Sequence, residues 1–374
     1  MKPTILILTT HTGGGHLNLA QSLKEMLEGH YEVVIADPQP GGVDRFYAAV
    51  SRHFLKYLDW QFVLTDNEAA ALWQHRLLMP VSSGRLLHII EQVQPQLLVV
   101  THAHLSYLTA RVNERLPRRI PLVFQLTDLE SLHMMWFTEK HADAYLAPTR
   151  EIFGQALEQG IDRNHLYLTG RPVRRQFLEV STYVRDETLA ALNLNPAIFT
   201  IFLQGGAKGS AGVDRTVEGL LSASVPMQII LAAGNNEKMV ARYAGMERVR
   251  ALPFTEMIAP YMAASDVIAG KAGASFISEA FMVEKPFLVT AFIPGQETPN
   301  LQFLERHNLG WVCLETRAQQ ELLSRMAGNP AMVAEKVASI RAYKAWNMQA
   351  NIQIRPTIDQ LLSRKNRIND QEPA

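Results

Sequence analysis

Cysteine and long apolar runs are what this chain lacks. Cys313 is the single cysteine in 374 residues, so no disulfide can form within the chain. A reducing compartment is therefore permitted, and the thiol reads as a small buried hydrophobe. No stretch approaches the ~20 apolar residues that a membrane-spanning helix requires. Any membrane contact is therefore expected to be peripheral. The N-terminal apolar run Ile5 to Leu8 is too short for a signal peptide and gives way at once to Thr9-Thr10-His11-Thr12. An excess of either charge is missing too. Lys+Arg and Asp+Glu stand at 36 each, which gives no footing for nucleic acid. There is no short internal repeat and no low-complexity tract. What remains is an ordinary globular composition, 47% hydrophobic and 19% charged, in a chain long enough for two domains with sizeable cores.

Short apolar runs alternate with segments of helical period along both halves. In the first half, strands are expected near residues 5–8, 33–36, 97–101, 122–127, 144–147 and 166–168. Helices are expected near 17–27, 43–58, 67–78, 83–92, 105–115 and 150–158. Gly170-Arg171-Pro172 interrupts the rhythm. A second series then places strands near 199–203, 227–231, 249–251, 266–269, 286–290 and 311–314. Two long helical stretches follow, at 331–346 and 348–362, with a charged tail expected to fray from Arg364. This alternation predicts parallel sheets covered on both faces. The expected fold is α/β, with two doubly wound domains at residues 1–175 and 176–345 and a terminal helix and tail at 346–374.

Two glycine-centred turns carry most of the chemistry. Gly13-Gly14-Gly15-His16 follows the first strand, and Lys271-Ala272-Gly273-Ala274-Ser275 follows Val267-Ile268-Ala269. Each reads as a strand feeding a small-residue turn that opens a helix. Such a turn lets backbone approach a ligand, and the helix start offers free N–H groups to an anion. A free imidazole titrates near neutrality, so His16 could take a proton from a hydroxyl nucleophile. Taken alone it could equally be a capping residue. Glu279 lies one turn beyond Ser275, on the same helix face, where a carboxylate could accept both ribose hydroxyls. A helix start also stabilises any acidic residue near it. Gln296 and Asn300 carry amides suited to sugar hydroxyls, although Asn300 also suits an N-cap. Gly205 and Gly206 open a third loop that could complete a phosphate cradle. Asp128 and His133 follow another strand and are cleft candidates, with a structural role for His133 nearly as well supported. His102 and His104 are weaker ones. Arg174, at the hinge, could reach phosphate. Phe46 and Phe54 on one helical stretch, and Trp73, Arg76, Leu77, Leu78, Met79, Arg85 and Leu86 on another, make apolar stripes with basic neighbours. Either could rest on an anionic bilayer, though such stripes more often pack into a core.

At these residues the chain resembles the GT-B sugar-nucleotide transferases of glycosyltransferase family 28. Within the family the likeness is greatest to monogalactosyldiacylglycerol synthases and bacterial diacylglycerol glucosyltransferases. The carriers are Gly13-Gly14-Gly15-His16, Thr127-Asp128-Leu129 with His133 and Trp136-Phe137, Thr169-Gly170-Arg171-Pro172-Val173-Arg174, Lys271-Ala272-Gly273 with Glu279-Ala280, and Ile293-Pro294-Gly295-Gln296-Glu297 with Asn300. They occur in the family's order, over roughly residues 5 to 310, and are specific jointly rather than singly. The resemblance implies an acceptor-binding first domain, a donor-binding second domain and a terminal helix that crosses back. It implies a UDP-sugar donor, inversion at the anomeric carbon and no obligatory metal or other cofactor. In that frame Glu279 holds ribose, and Ser275 and Ala274, with Gly273 and Lys271, hold the pyrophosphate. Gln296 and Asn300 hold the sugar, Arg174 lies near phosphate and Phe254 near the base. Gly14 and Gly15 approach the donor. His16 is the general base, assisted by Asp128 or His133.

The expected function is transfer of galactose or glucose from its UDP conjugate to a lipid hydroxyl, with diacylglycerol as acceptor. The work would be done from the cytoplasm at the inner face of a membrane. The same scaffold could instead transfer N-acetylglucosamine to another acceptor, epimerise a UDP-sugar at C2, or bind a sugar nucleotide without catalysis.

Overall fold

The computed structural model describes residues 2–11, 14–40, 62, 64–204, 213–222 and 225–369. The chain divides into two compact units. The first comprises Met1–Arg174, Pro294–Pro299 and Trp346–Ala374, and the second Arg175–Ile293 and Asn300–Ala345.

The first unit is built on six parallel strands: β1 (Thr4–Leu8), β2 (Glu32–Ala36), β3 (Leu97–Val100), β4 (Leu122–Gln125), β5 (Ala144–Ala147) and β6 (Leu166–Leu168). Their order is β2-β1-β3-β4-β5-β6. Helices α1 (Gly14–Leu27), α2 (Glu68–Val93), α3 (Ala103–Glu114) and α4 (Arg150–Glu158) connect or cover them. Ile5, Leu6, Ile7 and Leu8 are all fully buried. Both faces of β1 are covered, which is why it reads as a continuous apolar run rather than an alternation. Leu6, Leu8, Leu98 and Val100 pack with Leu86 and Ile90 of α2 and Leu105 and Leu108 of α3. Ile5, Ile7, Leu97 and Val99 point to the other side and pack with Ala20, Leu23 and Leu27 of α1.

The second unit repeats the plan. Strands β7 (Phe199–Gln204), β8 (Met227–Gly234), β9 (Val249–Pro253), β10 (Val267–Lys271), β11 (Phe287–Ala291) and β12 (Gly310–Val312) form a parallel sheet in the order β12-β11-β10-β7-β8-β9. Its helices are α5 (Arg185–Ala191), α6 (Val213–Leu221), α7 (Glu237–Tyr243), α8 (Ala259–Ala264), α9 (Ala274–Met282), α10 (Thr298–Arg306) and α11 (Thr316–Gly328). Two more follow, α12 (Pro330–Asn351) and α13 (Ile354–Asn369). From Trp346 onward the chain belongs to the first unit again. There Ile354, Ile358, Leu361 and Leu362 join the cluster around Ile5 and Ile7. The Tyr31 hydroxyl donates to Asp359 Oδ1 at 2.5 Å. The terminal helix therefore crosses back onto the N-terminal sheet.

Each sheet has one point where strand order reverses, and ligands of open α/β sheets bind beyond the strand ends at such points. In the first unit it lies between β1 and β3, in the second between β7 and β10.

Several elements depart from expectation. The pair of helices expected at 67–78 and 83–92 is the single helix α2, with Pro80 inside it. Proline there removes the bond to the carbonyl of Arg76, but both residues are exposed, so water can satisfy that oxygen. The break expected after Trp346 is absent, because α12 continues through Asn347 to Asn351. Helix α11 was not expected. Its buried side includes Gln319, which hides the apolar period, and Gln319 Nε2 donates to the Cys313 carbonyl at 2.9 Å. The tail expected to fray from Arg364 is helical to Asn369. The helix expected at 43–58, with Phe46 and Phe54, lies outside the described residues.

Ile358 is 1% exposed within the cluster that seats the terminal helix. Ile358→Ala should cost about 2–5 kcal/mol of stability through lost burial and a residual cavity. The check is a lower urea midpoint with an unchanged slope.

Candidate functional site

The switch point of the first unit places His16. Helix α1 opens at Gly14 directly beyond β1, and no acidic side chain occupies its first turn. Gly14 and Gly15 are exposed, and a Cβ on Gly14 would meet nothing within 4 Å. The backbone there is open to close approach. His16 Nδ1 lies 2.9 Å from the carbonyl oxygen of Thr101, the residue that follows β3. A carbonyl only accepts, so Nδ1 carries the proton and Nε2 keeps its lone pair. Burial pushes the imidazole down to about 4; the Thr101 carbonyl opposes that, and the nearby Arg171 guanidinium adds to it. At neutral pH the ring is therefore uncharged and able to accept a proton.

Other histidines crowd the same end of the sheet. The ring of His102 lies 4.3 Å from that of His16 and 4.9 Å from that of His104. His102 caps α3, its Nδ1 accepting from the His104 amide at 3.2 Å. Burial holds His102 well below the usual range and pushes His104 down to about 3. His75 is buried, stacks on Tyr107 at 5.3 Å and donates from Nε2 to the Met135 carbonyl at 3.1 Å. Burial pushes it down to about 4. His133 caps a short 3-10 turn, Met134–Trp136, with Nδ1 accepting from the Met135 amide at 3.2 Å. Its Nε2 lies 3.2 Å from Thr65 Oγ1. Burial lowers it while Asp66 opposes that shift. Asp128 follows β4 and accepts from Thr127 Oγ1 at 3.0 Å. An assistant for His16 was expected in Asp128 or His133; at Nδ1 that place is taken by a backbone carbonyl. Among the described residues, no group of three or more His, Cys, Asp or Glu side chains is disposed to hold a metal ion.

The segment after β6 is held from α12. Gly170 has φ +68°, and a Cβ there would meet Asn347 Oδ1 and Asn351 Nδ2 at 2.8 Å each. Arg171 is 3% exposed and donates from Nη1 to the Thr127 carbonyl. Arg174 is partly buried. Gln296, also of the first unit, is partly buried behind Gly295, whose φ is +74°, and its backbone N–H donates to the Pro294 carbonyl at 2.9 Å.

In the second unit, β10 ends at its sheet's switch point in a register irregularity between Gly270 and Lys271. A Cβ on Gly270 would meet Phe276 at 2.8 Å and the Gln204 carbonyl at 2.9 Å, so only glycine fits. The chain then turns tightly, the Gly273 amide donating to the Lys271 carbonyl at 2.7 Å. Gly273 is the N-cap of α9, and no side chain caps it. The helix thus starts on a residue without a side chain, which leaves room for close approach to its first turn. Glu279 is 5% exposed, one turn in. Asn300, 1% exposed, donates from Nδ2 to the Ala272 carbonyl at 2.9 Å, and its Oδ1 is buried with no hydrogen-bond partner among the described residues. Phe254 is 65% exposed on the loop after β9. Gln176 ties that loop down: its Oε1 accepts from Ile258 and Ala259, and its Nε2 donates to the Glu256 carbonyl. Gly205 and Gly206 lie outside the described residues.

Helix α2 presents an exposed apolar edge. Trp73, Leu77 and Val81, four residues apart, are 65%, 60% and 55% exposed. Arg76 and Arg85 are exposed with them, and no carboxylate lies between Glu68 and Glu91. Leu86, expected in this patch, is fully buried and belongs to the core, and Met79 packs against the same core. Both fall on the opposite side of the helical period. No described helix is long and apolar enough to cross a membrane.

Thr101, Gln176 and Asn347 were missed in the sequence, and Arg171 was quoted only as part of a motif. Their roles run through backbone carbonyls and amides, which leave little mark on a sequence. Asn347 had one signal, a poor helix former inside an otherwise helical run.

Comparison with known proteins extends this picture. Residues 16–173 match the family described as Monogalactosyldiacylglycerol (MGDG) synthase, and residues 200–338 match the Glycosyltransferase family 28 C-terminal domain. The chain is 23% identical over 333 residues to monogalactosyldiacylglycerol synthase 2, chloroplastic, of Arabidopsis thaliana, covering 82% of this chain and 70% of that protein. It is 23% identical over 386 residues to monogalactosyldiacylglycerol synthase, chloroplastic, of Spinacia oleracea, covering 96% and 73%. Among solved structures, the calicheamicin glycosyltransferase CalG4 superposes with TM-score 0.64 at 11% identity, over 97% of this chain and 99% of that one. Anabaena Alr3699/HepE in complex with UDP-glucose gives 0.56 at 14% identity, over 96% and 99%. These structures share the fold of two Rossmann-like domains.

The depressed histidines fix the direction of acid sensitivity. An unfolded chain protonates them near 6.5, whereas His16 and His75 resist until about 4. Between those values the unfolded state binds more protons, so stability is full above about 6.5 and falls as pH drops toward 4. Replacing His75 by glutamine should flatten that fall. Urea midpoints at pH 7 and pH 5 for both proteins check it; equal falls would contradict it.

Proposed function

Because the chain belongs to the family 28 glycosyltransferases, enzymes of the GT-B fold that use UDP-sugars, we propose that it transfers a hexose from a UDP-sugar to the hydroxyl of diacylglycerol, with inversion at the anomeric carbon. Galactose is the first donor to test, since the relatives matched along both halves are monogalactosyldiacylglycerol synthases. The observation that carries the reading is His16. It is a neutral imidazole beyond an open glycine turn, and the Thr101 carbonyl holds its lone pair on Nε2.

In this reading Nε2 of His16 removes the proton of the acceptor hydroxyl as its oxygen attacks C1 of the hexose. The bond from C1 to the phosphate oxygen breaks, and UDP leaves with the electron pair. Asp128 and His133 shape the surroundings of the base. The start of α9, with Lys271, Gly273, Ala274 and Ser275, receives the diphosphate on the positive end of the helix. Gly14 and Gly15, Gly205 and Gly206, and Arg174 complete the donor contacts. Glu279 accepts the ribose hydroxyls, Phe254 lies against the base, and Gln296 and Asn300 hold the sugar. Asn300 Oδ1 supports that role, because a buried acceptor without a protein partner is costly unless a ligand donates to it. No step is assigned to a metal.

The acceptor is a lipid, and α2 offers the means to reach it. Its exposed Trp73, Leu77 and Val81, with Arg76 and Arg85 alongside, suit the anionic inner face of a membrane.

Two expectations follow. His16→Ala should lower transfer of labelled galactose from UDP-galactose into diacylglycerol by at least roughly 100-fold. The rise in melting temperature with UDP should persist, since binding of the native state alone produces it. Full transfer by the variant would remove His16 from the reaction. A new UDP-sugar formed without lipid would favour epimerisation, and transfer only from UDP-N-acetylglucosamine would replace the donor. Separately, Trp73→Glu with Leu77→Glu should reduce sedimentation with anionic vesicles by at least roughly tenfold. Transfer to detergent-dispersed diacylglycerol should remain.

A further inference from the structure

Three strand ends meet the surroundings of His16. Thr101 follows β3 and takes the Nδ1 hydrogen. Thr127 follows the neighbouring β4, which pairs with β3 through Val100 and Phe124, and its carbonyl takes the Arg171 guanidinium. Arg171 itself follows β6. Adjacent strands are about 4.8 Å apart, so a fixed positive charge is anchored one strand away from the carbonyl that orients His16. That charge acts on His16 and disfavours its protonated form.

The backbone of Arg171 is gripped by an amide inside a helix. Asn347 is 1% exposed. Its Oδ1 accepts from the Arg171 backbone amide at 2.7 Å, and its Nδ2 donates to the Arg171 carbonyl at 3.0 Å. The side chain thus pairs with Arg171 as a strand neighbour would. Asn351, one turn on, donates to the Thr169 carbonyl at 2.8 Å. Gly170 between them has a positive φ and no room for a side chain. Asparagine is disfavoured inside helices, and burying it is costly unless both ends of its amide are satisfied. Here both are, by one residue.

We propose that Asn347 is a positioning residue for the transfer reaction: by pairing with the backbone of Arg171 it fixes the buried guanidinium on the Thr127 carbonyl, one strand from the carbonyl that orients His16, so that this charge reinforces the effect of burial on the base. The inference rests on His16 being the base. The other titratable and charged groups described at this end of the sheet are His102 and His104 on α3, His75 on α2, and Asp128 and His133 beyond β4, and none of them is held by Asn347 through a bond described above.

The test titrates His16 directly, by NMR of histidine-labelled full-length protein without donor or acceptor. Arg171→Gln should raise its titration midpoint, by less than burial depresses it, and Asn347→Ala should raise it by a measurable part of that. Ile358→Ala, which loosens the same terminal segment without touching Arg171, should leave it in place. The acid limb of kcat/KM should move upward with the midpoint. An unchanged midpoint in folded Arg171→Gln and Asn347→Ala overturns the proposal, as does an equal shift in Ile358→Ala. A shifted midpoint with an unmoved acid limb keeps the charge coupling but ends the role of His16 as base, so the two failures are distinct. Should Asn347→Ala not fold, Asn347→Ser serves in its place.

Discussion

A single hydrogen bond, from the imidazole of His16 to the carbonyl of Thr101, ties the start of α1 to the end of β3 across the point where strand order reverses. It fixes which nitrogen is protonated. It also ties the open glycine turn to a buried strand of the sheet. A ring held only by neighbouring side chains would change tautomer whenever they changed protonation. A peptide carbonyl does not titrate, so the lone pair stays on Nε2 for as long as the ring is neutral.

The two units solve related problems in different ways. In the first, a histidine is kept uncharged by burial and by a neighbouring guanidinium. In the second, a helix starts on a residue without a side chain, a strand slips register beside a residue that can only be glycine, and an asparagine is half satisfied. Each device leaves a local polar requirement open or a charge disfavoured. Such local costs belong where a ligand or a proton is to be received.

Most of the fold could be read from the sequence. Buried parallel strands are short apolar runs, and all twelve described strands stand where such runs occur. Helices with a mixed buried side, such as α11 with Gln319, were hidden because polar residues interrupt the period. Pro80 and Asn347 read as helix ends and are not, because solvent satisfies one and Arg171 the other. The glycine turns and His16 were visible as motifs. The grip of Thr101 on His16, of Gln176 on the loop bearing Phe254 and of Asn347 on Arg171 was not. These contacts join a side chain to backbone far away in sequence, and periodicity carries no trace of them.

The first unit is assembled from three separate stretches of chain, the last beginning at Trp346. Ile354, Ile358 and Leu361 cover part of the sheet face formed by Ile5, Ile7 and Val99. During synthesis that face waits while the whole second unit is made. At about 5–20 residues per second, the intervening residues take on the order of ten seconds or more to emerge. Apolar strands made first are thus sealed last, and the nascent chain carries a sticky surface through most of its translation.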